Sequence, residues 1–87
     1  MTMLTVELES EWVRTLRPLD DRPLDSFLKE LAVLELYRRH QVSSGKAAEL
    51  LGMDRMEFVR YAARQGIPFF DLTEEEFSAE LDLLATI

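Results

Sequence analysis

The chain has 87 residues, of which 47% are hydrophobic and 31% charged, and its formal net charge at pH 7 is −7. This composition is typical of one small globular domain and excludes a disordered segment, while the absence of cysteine excludes disulfides and thiolate metal sites. No basic stretch leads into an apolar run at the start, and no apolar segment approaches the roughly 20 residues that span a bilayer, so we expect a soluble, unprocessed, cytoplasmic protein.

Residues 1–24 are predicted to form a strand and a linker. In "MLTVELES", Leu4, Val6 and Leu8 alternate with polar residues, which is typical of a strand with one buried face. A lone strand is not stable, so this one must pair with another segment, and the extended "IPFFDL" of residues 67–72 is a candidate. The stretch "TLRPLDDRPLD" contains two prolines and several turn formers, which favours a linker.

A central helix is predicted over residues 25–40, with Asp25 or Ser26 as its cap. A helix that is apolar nearly all round must be covered on more than one side, and we expect both the rest of the chain and a second copy to cover it, in a homodimer. His40, the only histidine, is interpreted as a solvated residue near the helix dipole. The apolar residues that leave this helix no wide polar face are Phe27, Leu28, Leu31, Ala32, Val33, Leu34, Leu36 and Tyr37.

Residues 43–66 are predicted to form two short helices joined by a tight corner. Ser44 is the expected cap of the first helix, which Gly52 ends because glycine adopts the left-handed conformation at little steric cost. Asp54 and Glu57 form an aspartate version of the capping box at the start of the second helix. Gly66 stops that helix. Small residues inside the first helix, a glycine at the corner and apolar residues beyond it together indicate a DNA-binding helix-turn-helix.

The helix pair lies in the one basic segment of the chain. Residues 36–65 carry a net charge of +3, whereas residues 1–35 carry −4 and residues 66–87 carry −6. The second helix is predicted to have an apolar arc and an opposite, solvent-facing stripe formed by Glu57, Arg60, Tyr61 and Arg64. Two arginines four apart on this stripe repel each other unless an anion such as phosphate lies nearby, and a helix of this size fits the major groove. The candidate DNA-binding residues are Ser44, Lys46, Arg55, Glu57, Arg60, Tyr61 and Arg64.

A second interpretation of this surface stays open. Glu57 and Arg60 can simply pair within the helix, and an arginine stripe on an amphipathic helix is most often a solvated face. Ser44 and Lys46 lie at a helix start, where backbone donors can bind phosphate, but Ser44 can equally be purely structural. Arg55 falls toward the apolar arc of the second helix, so its guanidinium must extend outward to reach a phosphate or nothing. The alternative function is therefore an adaptor for protein contacts, which uses the helix pair for packing and binds no DNA.

Residues 67–87 are predicted to be an extended segment followed by an acidic helix. Thr73 and Glu76 form a capping box, and Phe77, Leu81 and Leu84 share one face with acidic residues around them. Such a face suits an apolar groove rimmed by positive charge on a partner protein. The more common arrangement for an acidic amphipathic helix is packing on its own domain.

Several stretches also carry a family resemblance. They are the alanine, leucine and tyrosine of "AVLELY" at residues 32–37, "SSGKAAELLGM" at 43–53, "EF" at 57–58, "GIP" at 66–68 and "EFSAELDLL" at 76–84. Over roughly residues 27–84 the chain resembles uncharacterised protein family 0175, small prokaryotic helix-turn-helix proteins proposed as antitoxins of PIN-domain ribonuclease toxins. The N-terminal third departs from the family pattern, since "SEW" stands where members often place a proline.

The resemblance implies an antitoxin-like regulator that binds operator DNA, represses its own operon and holds a PIN-domain toxin through a separate segment. Nothing predicts an enzyme, because the chain has no histidine pair, no cysteine and no glycine-rich phosphate loop. No catalytic residue, metal or cofactor is expected, and the glutamates at 74–76 are interpreted as stabilising the first turn of their helix. The predicted fold is one mainly α domain, residues 1–87, with a helix-turn-helix, a short N-terminal strand and an amphipathic C-terminal helix.

Overall fold

The computed structural model describes residues 2–85, with side chains through Leu83. Its α-helices are α1 (Ser10–Leu16), α2 (Leu24–Arg38), α3 (Ser44–Leu51), α4 (Arg55–Arg64) and α5 (Glu74–Ala85), and a 3-10 turn (Arg17–Leu19) follows α1. The mainly helical class is confirmed. None of the helices in residues 2–85 combines the length and the apolar character needed to cross a membrane.

The short N-terminal strand is not confirmed. Residues 2–9 have no regular structure, and Leu4 and Val6 are 88% and 76% exposed. A strand forms only where another segment satisfies its backbone groups, and the expected partner, residues 67–72, is not a strand either. Phe70 of that segment instead lies against Tyr37, with ring centroids 5.1 Å apart.

The core is formed by one stripe of α2 packed against α3 and α4. Val33, Leu34 and Tyr37 of α2 are buried, at the spacing that places residues on one helix face. Ala47 and Ala48 let α3 approach closely because their side chains are small, and both are buried. Phe58 of α4 is fully buried and meets the Tyr37 ring edge to face, with centroids 5.0 Å apart. The helix pair is therefore held by a shared aromatic core.

The rest of the chain covers α2 on one side only. Leu31 and Leu36 are 41% and 40% exposed, so the second covering surface expected for α2 is not supplied by residues 2–85. The start of α2 also differs from the prediction. Pro23 is its N-cap residue, and no side chain caps it, so neither Asp25 nor Ser26 has that role.

Helices α2, α3 and α4 end in the same way. In each, a residue in the left-handed conformation follows the helix and two backbone N–H groups bond back to its last turn, as in a Schellman motif. The left-handed residues are His40, Gly52 and Gly66, with φ of 59°, 67° and 81°. His40 is exposed, as predicted, and one face of its ring stacks on Phe70 at a centroid distance of 4.0 Å.

Replacing Gly52 by alanine is expected to destabilise the fold by about 1 kcal/mol, because a Cβ disfavours the left-handed conformation. The added methyl group meets nothing within 4 Å, so the backbone conformation is the only cost. Gly45→Ala is the matched control, since its Cβ would lie 3.9 Å from Ser43 Oγ within helix α3 and alanine favours helix by up to about 1 kcal/mol. Urea denaturation measures both, and a Gly52→Ala protein as stable as the parent chain would contradict the assignment.

Candidate nucleic-acid interface

Helices α3 and α4 are joined by a three-residue turn whose ends are well defined. Gly52 turns the chain, and the Met53 N–H donates to the Ala48 carbonyl at 2.9 Å. The Asp54 side chain caps α4 by accepting from the Met56 N–H at 3.2 Å, and within residues 2–85 Glu57 does not complete the predicted capping box. The turn fixes α4 against α3 and leaves one side of α4 outside the core.

The structure distributes the candidate DNA-binding residues over three environments. Lys46, Glu57 and Arg64 are exposed. Arg55, Arg60 and Tyr61 are half-buried, and Ser44 is fully buried. The seven residues therefore do not form one open surface in this conformation.

Ser44 is at the centre of a hydrogen-bonded cluster. Its backbone N–H donates to Asp71 Oδ2 at 2.7 Å, and its hydroxyl donates to the same oxygen at 3.0 Å. Ser44 is not the cap of α3, because the neighbouring Ser43 side chain accepts from the Lys46 N–H at 3.0 Å. The start of α3, where we expected a phosphate, thus holds the carboxylate of Asp71.

Arg55 joins this cluster to the last helix. Its Nε donates to Ser44 Oγ at 2.8 Å, and one terminal nitrogen donates to the Asp71 carbonyl at 2.9 Å. The other terminal nitrogen forms an ion pair with Glu76 of α5. Arg55 therefore fastens the starts of α3, α4 and α5 together, instead of extending freely into solvent.

Arg60 is held by α5 as well. Its Nη1 lies 2.8 Å from Glu80 Oε1, so Arg60 makes a longer-range contact in place of the pairing with Glu57 that the second interpretation allowed. Glu76 and Glu80 are four residues apart and hence on one face of α5. That face meets the side of α4 that carries Arg55 and Arg60, as expected when a segment of charge −6 folds onto a segment of charge +3.

These contacts share one chemical feature. Asp71, Glu76 and Glu80 each place a carboxylate on a group predicted to bind phosphate, namely the start of α3, Arg55 and Arg60. Carboxylate and phosphate oxygens accept guanidinium donors in the same charge-assisted geometry. The C-terminal segment therefore occupies the anion-binding positions of the helix pair. Sequence analysis missed this arrangement, although the i, i+4 spacing of Glu76 and Glu80 was a signal for it.

Tyr61 points toward α2, away from the predicted solvent-facing stripe. Burial raises the pKa of its hydroxyl, and the negative charge of Glu30 raises it further. Glu30 is itself buried and is paired with Arg22, whose Nη2 lies 2.5 Å from Glu30 Oε2. Tyr61 thus belongs to a polar cluster between α4 and α2.

The apolar face of α5 remains largely open. Phe77 and Leu81 are 40% and 49% exposed, and the Phe77 ring lies 5.1 Å from that of Phe69. The side chain of Leu84 lies outside the described residues. The predicted capping box is confirmed, since the Thr73 N–H donates to Glu76 Oε1 and the Glu76 N–H donates to Thr73 Oγ1.

Acidification is expected to weaken the attachment of α5. The hydrogen bond from the Thr73 N–H, and after it the Arg55 guanidinium, lowers the pKa of the Glu76 carboxyl from its usual 4.5. The stability that this carboxylate contributes is complete above that usual value and is lost as the pH falls through the lowered pKa. The thermal midpoint should therefore fall as the pH is lowered below 4.5, and it should fall less in a Glu76→Gln variant. Equal losses in both proteins would contradict the role of Glu76.

The fold and its contacts define a small, mainly α-helical protein in which two ion pairs join an acidic C-terminal helix to a basic helix pair. The chain belongs to UPF0175, an uncharacterised protein family, whose sequence model matches residues 1–86. A UPF0175 protein of Archaeoglobus fulgidus is 34% identical over 70 residues, which are 79% of this chain and 78% of that relative. The resemblance to the family is thereby confirmed, and the match includes the N-terminal third. No solved structure matches the chain significantly.

Proposed function

We propose that the protein is a DNA-binding, antitoxin-like transcriptional regulator that represses its own operon and binds a PIN-type ribonuclease toxin. One observation carries the proposal: Arg55 and Arg60, on a helix pair with a glycine corner, already bind oxyanions. A site that accepts carboxylates at these positions is chemically suited to phosphates of a DNA backbone. In this proposal α3 and α4 form a helix-turn-helix, and α4 enters the major groove.

DNA must displace α5 to reach the arginines. The Arg55–Glu76 and Arg60–Glu80 pairs are partly exposed, and such pairs contribute little to stability because water screens them. Phosphate contacts also gain from the release of counterions around DNA. The exchange of glutamates for phosphates is therefore energetically accessible, and Lys46 and Arg64, which are exposed, add further contacts.

The toxin is proposed to bind α5 through Phe77, Leu81 and Leu84. A groove with a positive rim would attract Glu76 and Glu80 as well as the apolar face. Glutamates that turn toward such a rim leave Arg55 and Arg60 free, so binding of the toxin favours binding of DNA. A homodimer would place two α4 helices about one turn of duplex apart, roughly 34 Å.

The adaptor without DNA binding is the second candidate function. It is favoured by the engagement of Arg55 and Arg60 inside the chain, since both cations already have partners. The exposed Phe77 and Leu81 fit a protein contact in either function.

Fluorescence anisotropy with the duplex upstream of the gene distinguishes the two functions. The native chain should bind that duplex in preference to a scrambled one, and affinity should fall as salt rises. Arg60→Ala with Arg64→Ala should weaken binding by about tenfold or more and make the salt slope shallower by about two. Arg38→Ala with Arg39→Ala is the matched control, because it removes the same charge at the end of α2, where Glu35 holds both arginines.

The control variant should bind nearly as well as the native chain. Equal weakening by both double variants would mean that net charge, and not the α4 surface, governs binding. Absence of binding at low salt by the folded native chain would exclude the DNA role for the isolated protein and leave the adaptor.

A further inference from the structure

The N-terminal segment, residues 2–9, is extended and lacks the partner that its sequence pattern requires. Met3, Leu4 and Val6 are 89%, 88% and 76% exposed. Within residues 2–85, no backbone hydrogen bond joins residues 2–8 to another segment. The segment thus presents both an apolar side and a free row of backbone donors and acceptors, which is a template for strand pairing.

An apolar groove lies beside this segment. Leu4, Val6 and Leu8 line it together with Val13 of α1 and with Leu24 and Leu28 of α2. Leu31, 41% exposed, extends the Leu24 and Leu28 row along α2 at helical spacing. The groove is therefore continuous with the side of α2 that the rest of the chain leaves uncovered.

We infer that a second copy of this chain covers the groove, and that the two N-terminal segments pair as an antiparallel ribbon centred on Val6. In this register Val6 faces Val6 of the second copy, and Leu4 faces Leu8 on the same side. Leu4, Val6 and Leu8 of both copies then lie on one face, because strand side chains alternate. The inference does not depend on the proposed DNA binding.

Charge selects this register over its neighbours. Centred on Val6, the ribbon places Glu7 opposite Thr5 and Glu9 opposite Met3, so no two glutamates face each other directly. A ribbon centred on Glu7 would place two glutamates opposite one another, which is destabilising. A ribbon centred on Thr5 would place Leu8 opposite Thr2 at each end and keep two apolar pairs, Leu4 with Val6, where the Val6 register has three. Of the three registers, the Val6 register alone keeps every apolar pair and places no two glutamates directly opposite each other.

Packing explains why such a ribbon is stable. Two strands alone are marginal in water, but a ribbon whose apolar face rests on helices is not. The Val6-centred ribbon lies over the grooves of both copies, and it buries Leu24 and Leu28 of each α2. The two-fold arrangement is self-complementary, as closed dimers require.

Val6→Lys and Thr5→Lys test the ribbon as a matched pair. Both replace a β-branched residue by lysine and change the net charge equally, but Val6 belongs to the inner face and Thr5 to the outer one. Val6→Lys should weaken the dimer by about tenfold or more, because it places two lysines opposite each other on the buried face. Thr5→Lys should leave the dimer intact, since it faces Glu7 of the second copy. Sedimentation equilibrium distinguishes the dimer, which has twice the 10.1 kDa mass of one chain, from the monomer.

Single cysteines test the register directly, because the chain contains no cysteine. Val6→Cys should form a disulfide-linked dimer under mild oxidation, since the two Cβ atoms of directly opposed residues lie about 4.5 to 5.5 Å apart. Leu4→Cys should not, because its counterpart in the second copy lies four residues away along the ribbon. Mixing Leu4→Cys with Leu8→Cys should restore the cross-link.

The outcomes separate this interface from its alternatives. A monomeric native chain at the concentrations of the experiment, a dimer insensitive to Val6→Lys, or dissociation by both lysine variants would overturn the ribbon. Cross-linking by Leu4→Cys but not Val6→Cys would overturn the register. Helix content by circular dichroism verifies that each variant is folded.

Discussion

Replacing both Glu76 and Glu80 by glutamine is expected to strengthen DNA binding by about threefold to tenfold. Glutamine keeps the size of the side chain and removes the charge that neutralises Arg55 and Arg60. In the proposed function, DNA competes with these carboxylates of the native chain for the same donors, whereas in the double variant that competition is weak. Anisotropy titrations at matched salt measure the difference.

The matched control is Glu74→Gln with Glu75→Gln. It removes the same charge from α5, but both side chains are exposed and bind neither arginine in the described residues. General relief of repulsion would strengthen DNA binding equally in both double variants. An equal gain in the two would therefore contradict a specific role for the Glu76 and Glu80 contacts.

Phe58→Ala is expected to unfold most of the protein at 37 °C. Phe58 is fully buried and contacts Tyr37 edge to face, and truncation of such a phenylalanine costs about 3 to 5 kcal/mol. A single small core rarely supplies more than this, so the loss is comparable to the whole stability of the domain. Thermal denaturation followed by circular dichroism measures the loss of helix.

Phe77→Ala provides the comparison for this variant. This substitution removes the same number of atoms as Phe58→Ala, but the Phe77 side chain is 40% exposed and lies at the edge of the fold against Phe69. Its thermal midpoint should stay close to that of the native chain. A Phe58→Ala protein as stable as Phe77→Ala would show that α4 is not held by the Tyr37 and Phe58 core.

Local patterns in the sequence were sufficient for much of the helical fold. The glycine at 52, the small Ala47 and Ala48 and the apolar Phe58 each act over a few residues, so spacing alone predicts their roles. Where two adjacent residues have the same side chain, the sequence does not show which of them has a given role. Ser43 and Ser44 are both able to cap α3, and which of them does so depends on Asp71, 27 residues further along the chain.

Long-range contacts account for the other differences. The pairing of Arg60 with Glu80 spans 20 residues, and a helical wheel shows which face a charge occupies but not what lies against that face. Tyr61 was assigned to the solvent side because its pairing with Glu30 of α2 was not visible from α4 alone. The alternation of Leu4, Val6 and Leu8 predicts a strand without indicating whether its partner belongs to the same chain.

In the proposed function, DNA and α5 compete for the same side of α4. Hydrogen–deuterium exchange of the native chain, with and without the upstream duplex, tests it most directly. Binding should slow amide exchange in α4 and accelerate it in α5, because DNA takes Arg55 and Arg60 from Glu76 and Glu80. Slower exchange in α4 with unchanged or slower exchange in α5 would contradict the competition, since α5 would then remain in place on the DNA-bound protein.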